Sequence, residues 1–237
     1  MGRALGDWVV SSKMSHPVLS GSWHFLSGLP AADVNMAMVH ADDNDELTSV
    51  LKEITRMNVP TYLFLAAEGK KLSSQLPGEW KQVGIFPLMT KELDETVREF
   101  DPRVSLISAD DVNDVVKLLA DSFLLDRSNF GFLFDTLKNP DSVSNIWILK
   151  EDGVAVSTVT TMLVDDALTV WCMATPPQFA RKGYGKALLG DVLARNAATN
   201  AKIGLLGATP AGQPLYIASG WEVLEGWDVY LNSPADH

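Results

Sequence analysis

The stretch of the sequence richest in chemistry is Arg181-Lys182-Gly183-Tyr184-Gly185-Lys186, between an apolar run ending at Thr175 and a helical pattern starting near Gly185. Glycines let a backbone approach a ligand closely, and the first N–H groups of a helix have no partner inside it. The helix dipole adds roughly half a positive charge at that end. Arg181, Lys182 and Lys186 bring three cations to one spot in a chain of formal net charge −11. These features predict an anion site with a pyrophosphate as its natural guest. Two nucleotide motifs fail here. A Walker loop needs Ser or Thr after its lysine, and Ala187 follows Lys186. A dinucleotide fingerprint needs a third glycine where Leu188 stands. A nucleotide-binding module is therefore the rival that spacing counts against.

Other reactive side chains are sparse. Cys172 is the one cysteine, so no intramolecular disulfide is possible and a reducing, cytoplasmic setting is expected. Beside Trp171 in an apolar run, it reads as an inert thiol. His16, His24, His40 and His237 show no ligand spacing, and no metal is expected. Thr209 precedes a short helical pattern, where it could cap the helix or face a site. Trp8, Trp23, Trp80, Trp147, Trp221 and Trp227 read as core.

The elements that must position these residues follow from periodicity. In the first part of the chain, a strand over 33–40 precedes a helix over 45–58. That helix puts Leu47, Val50, Leu51, Ile54 and Met57 on one face. A strand over 62–66, a helix over 71–76 and a strand over 80–89 come next. Residues 91–102 are highly charged and end in Pro102, which reads as a linker. Beyond it come a strand over 103–108, a helix over 112–123 capped by Asp110 or Asp111, and a helix over 130–138 that stops at Asn139-Pro140. Strands over 146–150, 154–164 and 168–174 form a meander with turns at 151–153 and 165–166. A helix over 185–200, a strand over 203–207, a helix over 212–219 and a strand pair within 221–231 complete it. This order means a mixed sheet, an antiparallel meander feeding a strand–helix–strand crossover.

Composition narrows the function classes. The 237 residues are 46% hydrophobic and 21% charged, ordinary for a globular protein of one or two domains. Residues 1–101 carry 9 basic and 14 acidic groups and residues 102–237 carry 10 and 16, net −5 and −6. This even acidity argues against nonspecific nucleic-acid binding. It mildly favours cationic ligands. No run is long and apolar enough for a membrane span, and the start has neither a signal-peptide core nor a myristoylation signal.

The glycine loop resembles the pyrophosphate loop of GNAT acetyltransferases, Gln/Arg-x-x-Gly-x-Gly/Ala, with Gly183 and Gly185 matching and Ala180 in place of the usual Gln or Arg. Arg181 stands next in line to substitute. Residues 174–179 resemble the lead-in of that family. Residues 206–221, with Tyr216 four residues before Gly220, are similar to its closing segment. Together these cover about 102–237. The resemblance implies a GNAT-like α/β (α+β) fold, a mixed, largely antiparallel twisted sheet flanked by helices, in two tandem modules. Residues 101–237 would be the catalytic domain. Residues 1–100, with Ser27 to Asn35 and Pro60 to Phe64 resembling tandem GNAT proteins, would be a degenerate module that binds no cofactor.

The implied activity is transfer of an acetyl group from acetyl-CoA, as co-substrate, to a primary amine in a ternary complex. Met173, Ala174 and Thr175 would pair with the pantetheine arm, and a backbone N–H there would face the oxyanion. Arg181, Lys182, Gly183, Tyr184, Gly185 and Lys186 would hold the pyrophosphate, with Thr209 nearby. Tyr216 would be the general acid. No residue is assigned as base, and water-relayed deprotonation is the default. The expected partner is a small amine or amine-bearing substrate, with no nucleic acid and no membrane, and the chain would be a monomer or homodimer. The alternative on the same fold is a non-catalytic acyl-CoA-binding regulatory protein, to which Ala180 gives some room.

Overall fold

The computed structural model describes residues 22–94, 99–131 and 142–232. They form two compact units, one spanning 89–222 and one joining the residues before 89 to those after 222. The division falls at 88/89 and 222/223. The physical reason is the last strand, which pairs with an early strand 160-odd positions away, as Val229↔Phe64 shows.

The discontinuous unit holds β1 (Ser22–Leu26), β2 (Asn35–Val39), α1 (Asn44–Met57), β3 (Thr61–Leu65), the start of β4 (Lys81–Glu92) and nearly all of β10 (Glu222–Asn232). Its strands run β1-β2-β3-β10, with β2/β3 parallel and the two outer pairs antiparallel. Helix α1 lays Leu47, Val50 and Ile54 on Ala37, Val39, Leu63 and Leu65. It begins at Asp43, whose carboxylate accepts from the Asp45 and Glu46 amides at 2.8 and 3.2 Å. It ends at Asn58 in the left-handed conformation that commonly stops helices. The helix expected over 71–76 is instead a 3-10 stretch, Ala67–Gln75. Its start is held by Glu225, which accepts the Ala67 N–H at 3.0 Å. Strand β1 lay outside the sequence reading.

The contiguous unit holds the end of β4, then β5 (Val104–Leu106), α2 (Val112–Phe123), β6 (Ser144–Glu151), β7 (Val154–Val164), β8 (Ala167–Ala174), α3 (Tyr184–Ala197), β9 (Ile203–Gly207) and α4 (Gln213–Ala218). The strands run β9-β8-β7-β6-β5, with only β8/β9 parallel. Helix α3 makes the crossover that a parallel pair requires. It packs Leu188, Leu189, Val192 and Leu193 against Trp147, Leu149, Val159 and Val170. Each such side chain contributes about 1.5–3 kcal/mol relative to exposure, before ordering entropy is subtracted. Ile146 and Ile148 are also buried but lie outside that cluster, so both faces of β6 are covered. Hence its strand reads as a continuous apolar run.

Three details differ from expectation. The strand pair expected in 221–231 is one strand, β10, because no turn interrupts it. The proposed linker over 91–102 begins as strand, with Lys91 and Glu92 finishing β4, and its positions 95–98 lie outside the described residues. Phe130 closes a 3-10 turn, Arg127–Phe130, and positions 132–138 of the expected helix lie outside the described residues. The run before β5 is tied to α3 by the buried Asp191, which accepts the Asp101 N–H at 2.7 Å and Arg195 Nε at 2.5 Å. Arg195 in turn lies 4.4 Å over the Phe100 ring.

Candidate functional site

The site begins where β8 leaves its neighbours. The β8/β9 register runs from Ala167↔Ile203 to Thr169↔Leu205, yet β8 continues to Ala174 and β9 to Gly207. Past that point no further β8/β9 pair occurs among the described residues. On its other side β8 carries a bulge, since Thr160 pairs with Trp171 but Thr158 with Ala174. Cys172 inside the bulge takes φ 46°. A bulge of this kind bends the strand and re-aims its side chains.

Beyond the bulge, a hydroxyl pair fixes the strand end. Ser157 Oγ donates to the Ala174 carbonyl at 3.0 Å and lies 2.8 Å from Thr175 Oγ1. A serine has one hydroxyl proton, so Thr175 is the donor in the second bond. The Ser157 contribution escaped the sequence reading. A serine within the largely apolar run Val154 to Val164 was the available signal.

The loop then turns through the 3-10 turn Pro177–Phe179, with Arg181 at φ 62° and Gly183 at φ 84°. Gly183 is the N-cap of α3; it carries no side-chain cap, and the first turn holds no acidic residue. The first intrahelical bond is Ala187 N–H to the Gly183 carbonyl at 2.9 Å. The amides before it are therefore open to an anion. Arg181, Lys182 and Lys186 are exposed around them.

The two glycines have different roles. At Gly183 the left-handed backbone is the requirement, and an added Cβ would meet no atom within 4 Å. At Gly185 an added Cβ would stand 3.1 Å from Thr175 Oγ1 and 3.3 Å from Met173 Cε, so glycine there allows close packing. Tyr184 is partly buried and packs against the core rather than reaching outward.

Tyr216 on α4 is buried and meets Trp221 edge-on at 6.0 Å. Its hydroxyl donates to Met173 Sδ at 3.7 Å. Desolvation, aided by the neighbouring Cys172, pushes the phenol up to about 12. It is thus protonated throughout the physiological range, suited to giving a proton rather than taking one. Cys172 is only partly buried as a residue, yet desolvation pushes its thiol up to about 12 as well, which keeps it un-ionised and a poor nucleophile. Thr209 Oγ1 accepts the N–H of Gly212, the N-cap of α4, at 3.2 Å. The structure thus brings Met173, Thr175, Gly185 and Tyr216 into one locus, with the cations at its rim.

A cavity of about 700 Å³ opens at the C-terminal end of α2, between Asp121, Leu124, Asp126 and Gln178. Both carboxyls are held below their usual range, Asp121 by Lys117 and Asp126 by Ser128. Among the described residues, no His, Cys, Asp and Glu gather in a metal-binding group, and no helix is long and apolar enough to cross a membrane.

Neither a protein-family model nor a curated protein matches the sequence. Solved structures do. A GCN5-related N-acetyltransferase from Kribbella flavida superposes with a TM-score of 0.65 at 17% identity, over 100% of this chain and 96% of its own. A GCN5-related N-acetyltransferase from Sphaerobacter thermophilus gives 0.60 at 11% identity, over 91% and 76%. A functionally unknown conserved protein from Staphylococcus epidermidis gives 0.60 at 12%, over 87% of each chain. With its splayed β8/β9 pair and the uncapped helix after β8, the chain has the fold of the GNAT acetyltransferases.

Proposed function

We propose that the chain is an acetyl-CoA-dependent N-acetyltransferase acting on a primary amine. The observation that carries this reading is Tyr216, a buried, protonated phenol whose hydroxyl already donates to a sulfur at the splay of the sheet. Acetyl-CoA would lay its pantetheine arm along Met173, Ala174 and Thr175, where β8 has no β9 partner. Its pyrophosphate would rest on the open amides of α3, with Arg181, Lys182 and Lys186 adding charge.

The chemistry follows from these positions. The amine nitrogen attacks the thioester carbon, and the carbonyl oxygen becomes an oxyanion facing a β8 main-chain N–H. The carbon–sulfur bond then breaks. The sulfur leaves with the bond pair and takes the Tyr216 proton, giving coenzyme A and an amide. The amine attacks as the free base, its ammonium proton having passed to water; after attack the nitrogen gives a second proton to water, and the phenolate recovers one from solvent. A phenol held above its ordinary value keeps its proton until the carbon–sulfur bond breaks, and gives it up only as negative charge develops on the sulfur. For the acceptor, the cavity beside α2 offers Leu124 and Leu125 with both signs of charge, Asp121 and Asp126 beside Arg127, which suits an amine that carries polar groups as well as apolar surface.

The test is an amine panel incubated with acetyl-CoA, following free coenzyme A thiol. Amine-dependent thiol release is expected. Binding of acetyl-CoA with no release on any amine would instead support the non-catalytic acyl-CoA-binding alternative.

A further inference from the structure

We propose that Met173 sets the size of the acyl group that the site accepts, an inference that rests on the thioester site argued above. Met173 lies on β8 beyond its last pair with β9, at the splay itself. Its Sδ accepts the Tyr216 hydroxyl at 3.7 Å. Its Cε comes within 3.3 Å of where a Cβ on Gly185 would stand. One side chain thus bridges the phenol to the first turn of α3. Thr175 Oγ1 and Leu215 Cδ2 close on the same point at 3.1 and 3.7 Å, so the wall behind Met173 is filled.

A departing thiolate that takes the Tyr216 proton must reach the hydroxyl that Met173 Sδ now engages. Two sulfurs sharing one hydroxyl are neighbours. The acyl carbon bonded to the second sulfur then falls within reach of the Met173 side chain. An acetyl methyl asks for little room there. Each further methylene must displace Met173, which packs against the core and holds the phenol. Methionine is the most pliable of the apolar side chains, so exclusion is graded rather than absolute.

The experiment titrates the full chain with coenzyme A, acetyl-CoA, butyryl-CoA and hexanoyl-CoA by calorimetry. The variants are Met173→Ala, Met173→Val and Met173→Leu. The wild type should bind butyryl- and hexanoyl-CoA at least about tenfold more weakly than acetyl-CoA, the scale set by methylenes in a shaped apolar pocket. Met173→Ala should bring the three within about threefold. Met173→Val removes less volume and reports the same trend should the alanine variant fail to fold. Met173→Leu keeps the bulk and should keep the discrimination. A wild type that binds acetyl- and hexanoyl-CoA equally overturns the inference, and so does an unchanged ratio in the smaller variants. A wild type that binds none of the four, coenzyme A included, removes the thioester site itself.

Discussion

Two helices of 14 residues, α1 and α3, begin in opposite ways. Helix α1 starts at Asp43, whose carboxylate takes two of the free amides, and Asp45 and Glu46 follow in its first turn. That end is neutralised by its own sequence, and its carboxylates repel an anion. Helix α3 starts at a left-handed glycine with no cap and no acidic residue, and cations surround it. A third start, the 3-10 turn Ala109–Asp111 leading into α2, is closed by a capping box in which Asp111 accepts from Ser108 N–H and Oγ at 2.7 Å each, while Asp111 caps no α2 amide. The lesson is that α3 forgoes a stabilising cap worth about 1 kcal/mol. A ligand anion can supply what the sequence withholds.

The contrast can be broken by giving α3 what α1 has. Gly183→Asp would put a carboxylate at the open amides and an unfavourable backbone angle at φ 84°. Acetyl-CoA should raise the melting temperature of the wild type and leave this variant unmoved. An equal shift in both would place the ligand elsewhere.

Next in size is Tyr216→Phe. It should lower kcat about 100-fold or more while the acetyl-CoA Kd stays within about twofold, since the phenol acts only as the bond to sulfur breaks. Unaltered turnover on a working amine would remove Tyr216 from the chemistry. Its pH dependence has a sign. The phenol keeps its proton below about 12, so kcat should not fall on the alkaline side through pH 10. An alkaline limb near pH 8 would point to another acid.

Smaller effects belong to the closed helices. Asp43→Ala should cost about 1 kcal/mol in urea unfolding and leave acetyl-CoA binding alone. If binding weakened, the separation of capped and open helix starts would not hold. Asp111 is held down to about 2, first by Lys150 and then by Ser108. A depressed carboxyl stabilises above its unfolded value near 4 and loses that contribution as pH falls towards 2. Asp111→Asn should therefore destabilise by about 1 kcal/mol at pH 7, and the gap from wild type should close below pH 3. A constant gap across that range would assign the loss to packing instead.

Much of this was legible in local sequence. Periodicity placed α2 at 112–123, β7 at 154–164 and β9 at 203–207, as observed. The glycine loop announced itself because Gly183 needs a positive φ and stands among cations. What sequence did not disclose depends on residues far apart in the chain. The Tyr216–Met173 bond joins positions 43 apart. The Ser157–Thr175 pair spans 18. Neither leaves a periodic trace. The resemblance to GNAT proteins located Met173 for its backbone, whereas the structure gives its side chain a role. Residues 221–231, expected as a strand pair, form a single strand, because β10 is held by partners distant in sequence, such as β3.

That strand carries a consequence for biosynthesis. β10 completes the sheet begun by β3, pairing Asn232 with Thr61, while the unit spanning 89–222 is finished before β10 exists. During vectorial synthesis the unit with the glycine loop can therefore fold first. The earlier strands must wait with β3 an open edge, a state prone to pairing with other chains. A chain ending before Glu222 would keep the loop, the splay and Tyr216, yet leave that edge permanently bare. Its failing would be aggregation rather than any defect in the chemistry.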